Sequence, residues 1–185
     1  MRPLYLLRQA YPAEQMQSIC DFMRANIAPT AQDSPARGIV KTAQTQIVAW
    51  HHCRPFLEWT EQLTHYWNSK QAGFDIFDMT DLDLVNLNTY HHSVQAEYAW
   101  HRDGTGNGNG GSPVDTKITV IVNASTEPYT GGQLQLFIAG EETIVDMDQP
   151  GMLIAFPSDI PHRVTPVTQG CRQSISYWIT GPKWR

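Results

Sequence analysis

Three residues in this sequence are of types that could share one metal ion: His101, Asp103 and His162. His101 and Asp103 stand two apart, and residues two apart in a β-strand point to the same face, so an imidazole and a carboxylate would converge there. His162 comes much later, after Pro157 and Pro161, at the start of another strand-like stretch. Two imidazoles and one carboxylate on one side of an ion form the facial set that suits Fe(II) and leaves positions open for a co-substrate and oxygen. A His-x-Asp pair alone is weak, because a surface strand could carry it without function. The distal histidine in a β context is what makes the metal reading worth pursuing.

Arg172 and Ser174 follow His162 closely and share strand parity. A buried guanidinium needs an anionic partner, and its fork matches a carboxylate bidentately. A dicarboxylic co-substrate would supply that partner, with its 2-oxo acid end on the metal and its far carboxylate on Arg172. The competing reading leaves Arg172 as a surface charge after the turn at Thr168, Gln169 and Gly170.

These residues must be positioned by a chain of 185 residues, long enough for a single domain with a real core. Hydrophobic residues are 41% and charged residues 17% of the chain, which is globular composition. The net charge of −5, without a basic run, advertises no grip on nucleic acid. Cys20, Cys53 and Cys171 are scattered, so neither a disulfide framework nor a thiolate metal site is indicated. The N-terminal stretch lacks the pattern of a signal peptide, and no apolar run is long enough to span a bilayer. A soluble, cytoplasmic protein is the expectation.

Helical periodicity comes first along the chain. Met16, Ile19, Cys20, Met23 and Ile27 mark one face of a helix over 12–27, and Phe56, Trp59, Leu63, Tyr66 and Trp67 mark another over about 55–70. Residues 33–38 read as a loop and 42–50 as a strand. From residue 82 the pattern changes to short strands at 82–90, 98–103, 116–122, 133–138, 142–146, 152–156, 162–166 and 172–180. The fold expected is mainly β with N-terminal helices: a double-stranded β-helix, or jelly-roll, with residues 1–80 as mostly helical support outside one sheet.

His101-x-Asp103, Gly131-Gly132-Gln133-Leu134, residues 151–156, and the run from Pro161 through Gly170-x-Arg172-x-Ser174 together resemble the prolyl 4-hydroxylase-like superfamily. The likeness is strongest to small bacterial and phage-type 2-oxoglutarate/Fe(II) hydroxylases and begins near residue 82. It implies that His101, Asp103 and His162 ligate Fe(II) and that Arg172 anchors 2-oxoglutarate. It also implies the chemistry of a dioxygenase, in which O2 and 2-oxoglutarate are consumed as an unactivated C–H is hydroxylated. A peptidyl residue such as proline is the substrate the likeness favours, and a small molecule is the alternative. Because Asp103 is present, the sequence does not resemble the halogenating branch. Family members place a tyrosine near Tyr90 with its hydroxyl on 2-oxoglutarate, although here the spacing to His101 is longer by one and a common intervening glycine is missing. A packed core tyrosine remains an equal reading.

Other residues carry weaker expectations. Thr119 could face the co-substrate or serve as a plain β-former. Trp100 and Trp178 flank the proposed site and read as core, and Tyr98 could line the pocket or simply pack. The pairs His51-His52 and His91-His92 are adjacent, a poor chelating spacing on a strand, although His91 or His92 could still support the ligands or contact substrate, and Asp159 belongs to a turn. Gly131-Gly132 marks a place where a side chain would clash. The glycine- and asparagine-rich stretch 104–111 is no phosphate loop, since it lacks the Gly-Lys-Ser/Thr ending; a mobile lid and a plain connector remain open. Two rivals stand against the 2-oxoglutarate reading. One is a cupin-like dioxygenase that uses the metal alone; the other is a jelly-roll module that binds metal without turnover.

Overall fold

A computed structural model of the chain describes residues 4–27, 39–103 and 113–184. The stretches read as a loop at 33–38 and as a glycine-rich lid or connector at 104–111 lie outside the described residues. Among the described residues two α-helices and twelve strands occur in the order β1 (Leu6–Gln9), α1 (Ala13–Ala25), β2 (Gln44–Ala49), α2 (Trp50–Trp67), β3 (Leu84–His91), β4 (Tyr98–His101), β5 (Val114–Asn123), β6 (Thr130–Gly131), β7 (Leu134–Ile138), β8 (Glu141–Ile144), β9 (Met152–Pro157), β10 (His162–Val164), β11 (Val167–Gln169) and β12 (Cys171–Pro182). A six-stranded sheet in the order β1-β9-β5-β12-β3-β2 faces a four-stranded sheet in the order β4-β10-β7-β8, and β11 pairs with β6. Every pairing is antiparallel. This is the jelly-roll expected, with the helices packed outside the larger sheet.

Strand parity divides the core in two. On one face of the large sheet Val85, Leu87, Ile118, Val120, Leu153, Ile175, Tyr177 and Ile179 pack with Met16, Cys20, Met23, Trp50 and Leu57 of the helices. On the other face Ile121, Ile154 and Phe156 pack with Leu134, Leu136 and Val164 of the small sheet. β1, β3, β5 and β9 thus feed both cores by alternation. Burying side chains on this scale is the main driving force for the fold.

Four expectations need correction. Residues 6–9, given no element from the sequence, form β1 and extend the large sheet beside β9. The second helix starts at Trp50, not near residue 55, because the chain turns from β2 directly into it and the Trp50 N–H donates to the Asp83 carbonyl at 2.7 Å. Its buried face is also different: Trp50, Cys53, Leu57, Thr60, Glu61, Thr64 and Trp67 point inward, while Trp59 and Tyr66 are exposed. The threonines pass as apolar because Thr60 and Thr64 donate their hydroxyls to Leu57 and Thr60 carbonyls of their own helix, at 2.6 and 2.7 Å. Lastly, the 98–103 strand ends at His101, so Asp103 is held by contacts outside the ladder. Among the described residues no helix is long and apolar enough to cross a membrane.

Candidate metal centre

The two histidines meet through strand register. In the small sheet β10 pairs with β4 so that His162 lies directly opposite His101, and their rings are 4.1 Å apart between centroids. Each imidazole donates its Nδ1–H to a carbonyl two residues earlier, His101 to Ala99 at 2.8 Å and His162 to Ile160 at 3.0 Å. That bond sets the tautomer and turns each Nε2 inward. Tyr98 stacks on the His101 ring at 3.6 Å and 14°, and Phe156 meets the His162 ring edge-on at 4.9 Å.

Asp103 is brought in from the opposite side. Its N–H donates to the Ser158 carbonyl at 3.0 Å, and the Ser158 N–H donates to the Lys117 carbonyl at 2.9 Å, which ties the residue to the ends of β9 and β5. The carboxylate then lies 3.5 Å from His101 Nε2 and 3.3 Å from His162 Nε2. Thr119 of β5 donates to Asp103 Oδ2 at 2.9 Å and shares a second 2.9 Å contact with the Ser158 hydroxyl. Burial pushes the Asp103 carboxyl up, but the facing His162 and His101 imidazoles overcome this and hold it well below the usual carboxylate range. One oxygen and two nitrogen donors thereby converge within 4.8 Å in a nearly dry place. That donor set and geometry fit a divalent transition metal such as Fe(II).

A second group of ligand-type residues, Glu61, His65 and Asp78, lies on the helical side. It differs in kind: the Asp78 side chain is 93% exposed, and Glu61 Oε1 already accepts the Met79 N–H at 2.6 Å.

The cavity above His101, Asp103 and His162 is walled by the large sheet. Tyr90, Arg172, Ser174, Thr119 and Trp178 all line it, as do Asn86, Asn88, Ser176 and Lys41. Arg172 is 2% exposed. Its guanidinium donates to Ser174 Oγ at 3.2 Å and sits 5.1 Å from the centroid of the Tyr90 ring, directly across the β3–β12 ladder. Among the described residues no carboxylate forms an ion pair with it. The surface reading of Arg172 is therefore wrong, because even-numbered residues of β12 face the cavity. Gly132, at φ +61°, lies against this side chain: a Cβ there would come within 2.9 Å of Arg172 Cδ and of Val167 Cγ2. Gly131, at φ +76°, would collide with the Pro166 carbonyl, so the clash read from the paired glycines is present.

Tyr98 lines the cavity while packing against the second core, and Trp178 lines the cavity with its buried indole N–H without a partner among the described residues. Trp100 points away, under the Arg163 guanidinium and beside Phe137. His51 and His52 open α2, and His91 and His92 sit at the end of β3; none of these four lines the cavity. Asp159 lies in a turn. Sequence reasoning passed over Lys41, Asn86, Asn88, Ser158 and Ser176. Parity with Tyr90 would have found Asn86 and Asn88, and parity with Arg172 would have found Ser176.

A sequence profile of the 2OG-Fe(II) oxygenase superfamily matches residues 85–180. A PKHD-type hydroxylase of Synechococcus sp. (strain CC9605) is 33% identical over 87 residues, which cover 47% of this chain and 38% of that protein. The chain thus spans about two fifths of the curated relative it matches. Among solved structures, a Pseudomonas putida prolyl-4-hydroxylase superposes with a TM-score of 0.66 at 19% identity, over 97% of this chain and 94% of that one. The viral collagen prolyl hydroxylase of Paramecium bursaria Chlorella virus-1, in its 2OG complex, gives 0.71 at 14% identity over 97% of both chains. A Trichoplax adhaerens prolyl hydroxylase, in complex with a hypoxia inducible factor oxygen degradation domain peptide fragment, gives 0.68 at 16% identity over 95% and 83%. At these identities the superpositions establish the shared fold.

Proposed function

The chain belongs to the 2OG-Fe(II) oxygenase superfamily, and from that premise we propose that it is an Fe(II)- and 2-oxoglutarate-dependent dioxygenase that hydroxylates a peptidyl residue, with proline the first candidate. The observation that carries the reading is a buried Arg172 without a described acidic partner, facing the same cavity as three converging metal-type donors.

In this reading His101, Asp103 and His162 hold the metal, and the 185 residues work as one domain. Fe(II) with 2-oxoglutarate supplies the activation of O2 that an unactivated C–H requires. The protein's part is orientation. The Ala99 and Ile160 carbonyls fix the imidazoles by their Nδ1 protons, and Thr119 fixes the rotation of the Asp103 carboxylate. Arg172 takes the far carboxylate of 2-oxoglutarate in a charge-assisted pair, with Ser174 beside it. Tyr90 lends its ring face to the guanidinium, which holds the fork in place. Tyr98, stacked on His101, shields one side of the triad from water. A peptide substrate agrees with the neighbours of this fold that act on prolyl residues, and a reducing, cytoplasmic setting agrees with free thiols at Cys20, Cys53 and Cys171.

The test is formation of succinate from 2-oxoglutarate by the Fe(II) protein, first alone and then with prolyl peptides. Basal succinate that rises with a prolyl peptide, together with a mass gain of one oxygen on that peptide, is the expected result. Stimulation by small molecules only would move the substrate to that class, and no succinate under any condition would sink the enzyme reading.

A further inference from the structure

The inner wall of the large sheet is a ladder of paired side chains. Its rungs are Tyr90 with Arg172, Asn88 with Ser174, and Asn86 with Ser176. Beyond these, Trp178 lies opposite Thr119, whose hydroxyl holds Asp103. Successive rungs are about 7 Å apart, the rise of two strand residues. The Arg172 guanidinium reaches down as far as Ser174, so the Asn86–Ser176 rung falls between the anchor and the triad.

The two asparagines on this wall differ. Asn88 is fully engaged: its Oδ1 accepts from Thr45 at 2.8 Å and its Nδ2 donates to Ser176 Oγ at 3.0 Å. Asn86 is 6% exposed and lines the same cavity, yet no described residue hydrogen-bonds its side-chain amide. The amide opens onto the cavity, where a ligand's oxygen can accept from it. An extended dicarboxylate running from Arg172 to the triad must pass this rung with its 2-oxo acid end.

We propose that Asn86 donates its Nδ2–H to the carboxylate at the 2-oxo end of 2-oxoglutarate and so fixes the rotation of the metal-chelating group. This rests on the reading that the chain binds 2-oxoglutarate at Fe(II). Asn86 is then a second, independent contact to the co-substrate, opposite in position to Arg172. Ser176 lies across from it and accepts from Asn88, which keeps the wall polar at this level.

The experiment is an anaerobic titration of the Fe(II) protein with 2-oxoglutarate and, separately, with pyruvate, followed by the visible absorbance band of the Fe(II)–2-oxo acid complex. Pyruvate has the 2-oxo acid end and lacks the far carboxylate. Asn86→Leu is expected to weaken both ligands by a similar factor, about tenfold or more, and to move the band. Asn86→Asp, nearly isosteric, sets one carboxylate against another and is expected to weaken both further; it also carries the test where leucine is not tolerated. Arg172→Met is expected to weaken 2-oxoglutarate only. Variants at Asn86 that titrate like the wild type, or that lose 2-oxoglutarate while keeping pyruvate, overturn the proposal and leave the 2-oxoglutarate reading standing. A wild-type protein that develops no band overturns that reading, and the proposal with it.

Discussion

The two faces of β12 are built from the same twelve residues and do opposite things. Ile175, Tyr177 and Ile179 point to the helices and are sealed in an apolar core, with Tyr177 satisfied by the Thr60 hydroxyl at 3.0 Å. Arg172, Ser174 and Ser176 point to the small sheet and are almost as deeply buried, but they are polar and face a cavity. Burial depth therefore does not separate the core from the site, and neither does an unpaired N–H, since the indoles of Trp50 and Trp67 lack described partners on the helical side too; what does is polar side chains that open onto a cavity. Among the described residues, a guanidinium without an acidic partner, an asparagine side chain without a hydrogen bond and an indole N–H without an acceptor all lie on the cavity face. Such groups lower stability until a ligand answers them. The helical face stabilises the sheet that the cavity face spends on recognition.

This contrast can be broken from either side. The largest effect is expected at the triad: Asp103→Ala should abolish hydroxylation and weaken Fe(II) binding by more than about a hundredfold, since losing an outer supporting residue alone costs 10–100-fold. Asp159→Ala, in the turn beside Ser158, should bind Fe(II) as the wild type does. Titration with Fe(II) under nitrogen compares the two, and the reverse outcome would show that the wrong carboxylate was assigned.

On the helical face, Leu153→Ala removes a fully buried side chain of β9. It should lower unfolding free energy by about 2–5 kcal/mol, read from the urea midpoint, while the folded fraction keeps its affinity for Fe(II) and 2-oxoglutarate. Arg172→Met should do the converse. Its 2-oxoglutarate affinity should fall by about 2–5 kcal/mol, well over tenfold, with the urea midpoint unchanged or raised because an unanswered buried charge is gone. A drop in both midpoints would mean that the cavity face also supports the fold. The smallest effect is expected for Thr119→Val, which keeps the shape and removes the donor to Asp103 Oδ2. Fe(II) affinity should fall by about tenfold, and an unchanged value would reduce Thr119 to a spacer.

Much of this was legible in the chain itself. The helix at α1 followed from the spacing of Met16, Ile19, Cys20 and Met23, and the β-rich second part from its short alternating segments. The metal-type residues followed from residue chemistry, although the period-two argument failed for Asp103, which lies beyond the end of β4; parity put Arg172 and Ser174 on one face. The helix α2 was less legible, because threonines that bond their own helix carbonyls look polar in sequence and behave as apolar in the core. β1 escaped because a four-residue edge strand has too few residues to show a period.

The sequence by itself determined which residues were chemically able to hold a metal and a dicarboxylate, because donor type and strand parity are local properties. It could not decide that His101 faces His162, which depends on the register of β4 against β10. Nor could it decide that Asp103, beyond the end of its strand, is delivered to them by Ser158 and Thr119. The same holds for Asn86, whose amide, without a partner among the described residues, faces a cavity that exists only because the two sheets close over it. Register and closure are set by the sum of many contacts between segments far apart in the chain, and no local stretch of sequence carries that sum.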